Sequence, residues 1–396
     1  MNFRLLLTFL LPSALLLSCG PDKNTARLSG QIKGVDQAAI IAYAPAESPA
    51  DGGATDSIHL SRGAFSYDRP TQAPLLLTLV YPNYSTLTLI AEPGEEVHLS
   101  GEANRLKEVE ISGGEENELL QGFRDGNHGR SEADIRRKAE AFIRSHPTRL
   151  AAVAVFLDIF AASEHPRYRP DGELLELLVK SQPDNAQLKQ IAANLRPVFA
   201  VAEGAPLPKF SERTLTGGNI TSEMLMGRAA LIVFSGSWDG NNFRFVPTLN
   251  RLRRRFGARL SVVNVLLDTN AGQARDRAQR DSLSNAIYAA GEYESALARK
   301  LGVRYVPGCL LIDATGTVVA RDIDPDRLEG AVEKVVRWGR RIPVGSPCAV
   351  GIASLPPVGP EQNTMGRDES ACLPQSLRSR HLIAHENPPP SCAVSR

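Results

Sequence analysis

Over residues 229–235 the chain reads Ala-Ala-Leu-Ile-Val-Phe-Ser, an apolar run without polar alternation. A strand with one wet face alternates apolar and polar side chains, because successive side chains point to opposite faces. A strand covered on both faces loses that alternation. The run is also too short for a typical buried helix. It reads as a buried strand, and a buried strand needs covering layers on both sides.

The neighbouring sequence supplies them. Phe243 to Phe256 has helical spacing, Leu260 to Leu266 is a second strand, and Ala271 to Ser284 and Tyr293 to Leu301 are helices. Cys309 to Asp313 and Val318 to Arg321 form a hairpin around Ala314-Thr315-Gly316-Thr317, and Pro325 to Trp338 closes with a helix. Strands alternating with helices predict an α/β layer fold.

The rest of the 396 residues divides by pattern. Residues 27–112 hold short strand candidates bounded by Arg62-Gly63, Pro82-Asn83 and Glu92-Pro93-Gly94-Glu95, which predicts an antiparallel β-sandwich or barrel. Residues 113–200 switch to helical spacing between Pro147, Pro166, Pro170 and Pro183, and read as a helical linker region. Residues 201–341 form the α/β domain. Residues 342–396 are Pro-rich without sustained apolar spacing, and read as a disordered tail.

Arg4 precedes an apolar run from Leu5 to Leu17, interrupted by Thr8, Pro12 and Ser13 and too short for a comfortable membrane span. Leu16-Leu17-Ser18-Cys19-Gly20 follows and resembles the lipobox of bacterial lipoproteins. The resemblance implies a signal peptide over 1–18, a lipid-modified Cys19 as first mature residue, a tether over 19–26, and anchoring in the cell envelope, periplasmic or surface-facing. Acyl chains hold a protein to lipid at about 0.8 kcal/mol per buried methylene. The strand pattern of 27–112 is similar to the small β-domain of unknown function that precedes thioredoxin-like domains in such lipoproteins.

Within 201–341 the resemblance becomes specific. Gly204-Ala205-Pro206-Leu207-Pro208, the strand running into Trp238, Pro247 in the next helix, and Leu301 to Pro307 resemble TlpA/ResA-type thioredoxin-like domains of the redoxin superfamily. That family implies a thioredoxin-like fold, a cis-proline at Pro307, and a Cys-x-x-Cys after Trp238. The chain departs from it there: Trp238 is followed by Asp239-Gly240-Asn241-Asn242. Thiol–disulfide exchange needs a thiolate to attack and a second thiol to resolve the mixed disulfide. A helix N-terminus suits an Asp carboxylate as well as a thiolate, but a carboxylate forms no disulfide. Two-cysteine chemistry through Asp239 and Asn242 is therefore expected to be absent, and peroxiredoxin chemistry with it.

Other residues leave alternatives. Cys309, two positions after Pro307, is either an isolated reactive thiol or a small core residue of a strand. Cys348, Cys372 and Cys392 lie in the tail, and with Cys309 they permit three full pairings. Asp268 and Asp313 sit at strand ends, as turn residues or as neighbours of Asp239. Arg251, Arg253, Arg254 and Arg255 form a basic run, expected as a solvated helical face in a chain with 36 Arg against 9 Lys. The net charge of +1 gives no global field for nucleic acid, and the seven scattered His lack metal-site spacing. No cofactor or metal is expected.

Trp238 and Pro307 remain, and they fit a binding surface for an extended peptide or protein segment that pairs through main-chain hydrogen bonds and needs no sulfur. The first reading is an envelope lipoprotein with a redox-inactive, thioredoxin-like binding module. The second is a thiol–disulfide oxidoreductase or redoxin-type enzyme working through Cys309 or a tail cysteine. The third is a structural envelope component.

Overall fold

The computed structural model describes residues 22–46, 53–240 and 242–338. The expected signal segment, Cys19 and the tail from 342 onward, with its three cysteines, lie outside the described residues. No helix among the described residues is long and apolar enough to cross a membrane. The chain divides into two compact units, the first ending at Gly129 and the second running on from Arg130.

The first unit holds β1 (Thr25–Lys33), β2 (Gln37–Ala44), β3 (Ala54–Ser61), β4 (Ala64–Pro70), β5 (Leu75–Val80), β6 (Thr86–Ala91), β7 (Glu96–Glu102), β8 (Glu110–Ser112) and α1 (Glu115–Asp125). Polar alternation sets the faces: Val97 and Leu99 are buried in β7 while Glu96, His98 and Ser100 face out. The strands hydrogen-bond in one continuous sheet, in the order β6-β5-β2-β3-β4-β1-β7-β8. Of the expected antiparallel sandwich or barrel, this corrects the two-sheet alternative and the wholly antiparallel pairing. There is one sheet, and β1 and β7 pair in parallel. The Pro93-Gly94 turn is the reason. It carries the chain across to β1, where the Gly94 N–H donates to the Thr25 carbonyl at 2.9 Å and the Arg27 N–H donates to the Glu95 carbonyl at 2.9 Å.

The sheet curls, so that β1 approaches β6 although β5, β2, β3 and β4 stand between them. One apolar cluster, including Leu28, Ile40, Ile58, Leu77, Leu89 and Leu99, fills the inside. Gly30 permits the close packing there, since a Cβ at that position would lie 2.5 Å from the Leu99 carbonyl oxygen. Helix α1 belongs to this unit, whereas the sequence reading placed it in a linker region over 113–200. Its fully buried Asn117 is the reason, because that side chain hydrogen-bonds to Ile90 of β6.

The second unit opens with α2 (Glu132–Ser145), α3 (Leu150–Phe156, extended by a π-turn over Leu157–Ala161), α4 (Tyr168–Ser181) and α5 (Ala186–Ala200). Side chains that answer exposed N–H groups start two of them: Ser131 accepts from the Asp134 N–H and Asn185 from the Leu188 N–H. There follow β9 (Ser211–Arg213), β10 (Asn219–Thr221), β11 (Ala229–Ser235), α6 (Asn242–Phe256), β12 (Leu260–Leu266), α7 (Ala271–Arg280), β13 (Ala286–Tyr288), α8 (Ala296–Lys300), β14 (Gly308–Ile312), β15 (Val318–Arg321) and α9 (Pro325–Trp338). The five-stranded sheet runs β13-β12-β11-β14-β15. Its β11, β12 and β13 are parallel, and β14 and β15 antiparallel.

Strand β11 is buried throughout. Ile232 and Phe234 pack into one apolar cluster, and Leu231 and Val233 into another that includes Phe245 and Leu249 of α6 and Leu328 and Val332 of α9. This is the two-sided cover that the unalternating run requires. Helix α7 stops at Arg280, short of the expected Ser284, where Ser282 and Asn285 turn left-handed.

Buried Arg321 ties the helical layer to the α/β layer. Its guanidinium donates to the carbonyls of Val198, Val201 and Gly302 at 3.0, 2.7 and 2.7 Å, bonds Asp322 at 3.0 Å, and lies over the Tyr168 ring. The Tyr168 hydroxyl in turn bonds Asp322.

Candidate functional site

The candidate site lies where β11 ends and α6 begins. The loop between them is held from below by two buried charged residues. Asp268 accepts the Ser237 N–H at 2.7 Å. Arg277 of α7 donates from Nε and Nη2 to Asp268 at 3.1 and 2.9 Å, and from Nη1 and Nη2 to the hydroxyl and carbonyl oxygens of Ser235, each at 3.0 Å. A buried guanidinium is tolerable only when its donors are matched in this way. From above, the Asn242 amide donates to the carbonyls of Gly236 and Asp239 at 2.7 and 2.8 Å. Asn242 thus closes the turn at the first residue of α6.

Within this frame Trp238 is 42% exposed and Asp239 only 4%. The Trp238 ring covers the backbone of Gly236, where a Cβ would meet it at 2.6 Å. Asp239 sits three residues before the start of α6, its carbonyl accepting the Asn242 N–H at 3.4 Å, at the helix end whose dipole favours negative charge. The Val306–Pro307 bond is cis, as the resemblance implied, with Pro307 half-buried. Tyr293 lies against the Val306 backbone and within electrostatic reach of Asp239. Its phenol is pushed up to about 12, first by burial, and also by the charges of Asp239 and Glu292, while the Val306 backbone N–H against it pulls the other way. The structure therefore brings Trp238, Asp239 and Asn242 together on one loop, with Tyr293 within electrostatic reach of Asp239.

Cys309 is not part of that surface. It is fully buried in β14, paired in register with Val233, among Phe245, Leu249 and Leu328 on the α6 and α9 side of the sheet. Burial pushes its thiol up to about 12, and Asp322 adds to the shift. Such a thiol is neither ionised near neutrality nor reachable. Asp268 pairs with Arg277 rather than with Asp239. Asp313 accepts the N–H groups of Thr315 and Thr317 at 2.8 and 3.0 Å and shapes the hairpin turn. The basic run is matched by acid: Arg251 bonds Glu329, Arg255 bonds Glu329 and Glu333, and Arg253 bonds the Ser282 carbonyl. Among the described residues no group of His, Cys, Asp and Glu is placed to hold a metal ion.

Sequence reasoning missed Arg277 and Tyr293. Arg277 had one signal, since it sits three residues after Ala274 on the apolar face of α7. Tyr293 had none, because its role depends on the fold bringing it to Val306.

No family model matches the chain, and no curated protein does. Solved structures do. A thiol-disulfide oxidoreductase from Bacteroides fragilis is 22% identical at a TM-score of 0.31, over 33% of this chain and 98% of that one. The thioredoxin domain of a thiol-disulfide oxidoreductase from Bacteroides vulgatus is 20% identical at a TM-score of 0.32, over 34% of this chain and 98% of that one. A secreted Mycobacterium tuberculosis disulfide oxidoreductase is 18% identical at a TM-score of 0.28, over 32% of this chain and 95% of that one. These likenesses cover about a third of the chain, and no activity follows from them.

Proposed function

We propose that the chain is an exported, lipid-anchored envelope protein whose α/β domain binds an extended peptide or protein segment without thiol chemistry. One observation carries the reading. The loop that presents exposed Trp238 carries Asp239 and Asn242 at the two redox positions, and the one described thiol is buried away from it. An indole held at a surface offers apolar area and an N–H to a partner at little conformational cost. The loop is pinned by Asp268, Arg277 and Asn242, so little order remains to be imposed on binding.

Export and anchoring rest on the Leu16 to Cys19 segment and its resemblance to a lipobox. No observation favours the enzyme reading through Cys309, whose thiol lies in the core.

Binding is tested in a Trp338→Phe background, where Trp238 is the one remaining indole of the chain's two. The probe is an unfolded polypeptide, reduced and carboxymethylated so that it has no thiol. A saturable change in Trp238 emission is expected, undiminished by Cys309→Ala. An unresponsive Trp238, together with disulfide reduction that depends on Cys309, overturns the reading.

A further inference from the structure

Helix α1 meets the sheet of the first unit as a strand would. The Asn117 amide donates to the Ile90 carbonyl at 2.7 Å, and its oxygen accepts the Ile90 N–H at 2.9 Å. Those are the two bonds that a neighbouring strand would make to Ile90. Two turns along α1, Arg124 donates to the Thr88 carbonyl at 2.6 Å. Thr88 and Ile90 are two apart in β6, so their main-chain groups point the same way, out from β5. Between these two helical positions, the Gln121 side-chain oxygen accepts the Ile111 N–H of β8 at 3.1 Å. Strands β6 and β8 are the two ends of the sheet order. One helix face therefore answers outward groups on both edges of a curled sheet, and closes its seam with side chains in place of a strand. Unpaired edges left at such a seam would bind water or another chain.

Leu120 anchors the helix, with Leu119 and Phe123 half-buried beside it. Of its residues only Asn117 and Leu120 are buried, and no side chain caps its N-terminus. Gly113 and Gly114, both at positive φ, precede it. Gly126 caps its C-terminus, and Gly129, also at positive φ, ends the unit. A short helix at the margin of a sheet can open locally below the free energy of global unfolding.

We propose that α1 is a detachable latch that releases both edges of the sheet in one opening, before the sheet itself unfolds. Asn117, Gln121 and Arg124 sit on one rigid helix, so their bonds to β6 and β8 are made and lost together. Opening removes the α1 partners of Thr88, Ile90 and Ile111 while the β5–β6 and β7–β8 ladders persist.

Native-state hydrogen exchange of the full chain tests this. The Ile90 and Ile111 N–H groups lie on opposite edges. They should exchange through one shared opening together with the amides of α1, at least about tenfold faster than Leu89, whose main chain faces β5. Gln121→Ala removes only the bond to Ile111, yet it should speed exchange at Ile90 as well. Asn117→Ala should speed Ile111 by about tenfold or more. If Asn117→Ala does not fold, the half-buried Gln121 variant carries the test alone. Exchange of Ile90 at the rate of Leu89, or a Gln121→Ala effect confined to Ile111, overturns the latch.

Discussion

Removing the Arg277 guanidinium asks how firmly the loop that carries Trp238 is held. Arg277 and Asp268 are 2% and 0% exposed, and their side chains meet at 2.9 Å. Arg277→Met keeps the aliphatic volume and strands the Asp268 carboxylate with the Ser237 N–H. Breaking a buried ion pair from one side costs about 3–5 kcal/mol, because the remaining charge has lost its compensation. With a urea slope of about 2–3 kcal/mol/M, the unfolding midpoint of the second unit should fall by about 1–2.5 M. Adding Asp268→Leu removes the stranded charge, and most of the loss should return, to within about 1–2 kcal/mol of the parent. Order in the loop should not return, since Ser237 has lost its acceptor and Ser235 its donors. In a Trp338→Phe background the double variant should therefore show stability within about 1–2 kcal/mol of the parent, with lower Trp238 anisotropy and easier quenching. Loss of less than about 1 kcal/mol in the single variant, or a double variant with parental anisotropy, refutes the reasoning.

Two further outcomes follow from the site. The Cys309 thiol is raised from its ordinary 9.0 to about 12, so the fold favours the protonated form; its contribution should be level below pH 9, and stability should fall as pH rises from there toward 12. Tyr293 adds to the decline above pH 10, and urea titrations across pH with Cys309→Ala should show the 9–10 segment of the decline flattened. Gly236→Ala places a methyl 2.6 Å from the Trp238 ring, so the ring should swing away, which red-shifts its emission and weakens peptide binding, with a stability loss of less than about 1.5 kcal/mol by chemical denaturation.

The sequence made the second unit far more legible than the first. Strand β11 announced itself because burial on both faces erases alternation, and the hairpin of β14 and β15 because Gly316 marks its turn. The three-residue strands β9, β10 and β13 went unread, since so few residues carry no period. In the first unit β1 to β7 were visible, the three-residue β8 was not, and neither were the strands' neighbours. Alternation fixes which face is buried, but not that the chain after β6 crosses to lie parallel to β1. Nor does it tell that an amide on a helix will serve as the partner of an edge strand, as Asn117 does. At the site, Trp238, Asp239 and Asn242 were legible from their place after β11. Their supports were not, because Arg277 and Asp268 acquire their meaning from being buried together. The burial of Cys309 was one of two alternatives until its face of the sheet was known.

The central claim is that this domain has surrendered thiol chemistry while keeping the surface around Trp238. The most direct test is reduction of insulin disulfides by dithiothreitol in the presence of the full chain, compared with its Cys309→Ala variant. The account predicts no acceleration over dithiothreitol alone for either protein. Acceleration that disappears in Cys309→Ala would contradict it, since it would require the buried thiol of β14 to reach a substrate.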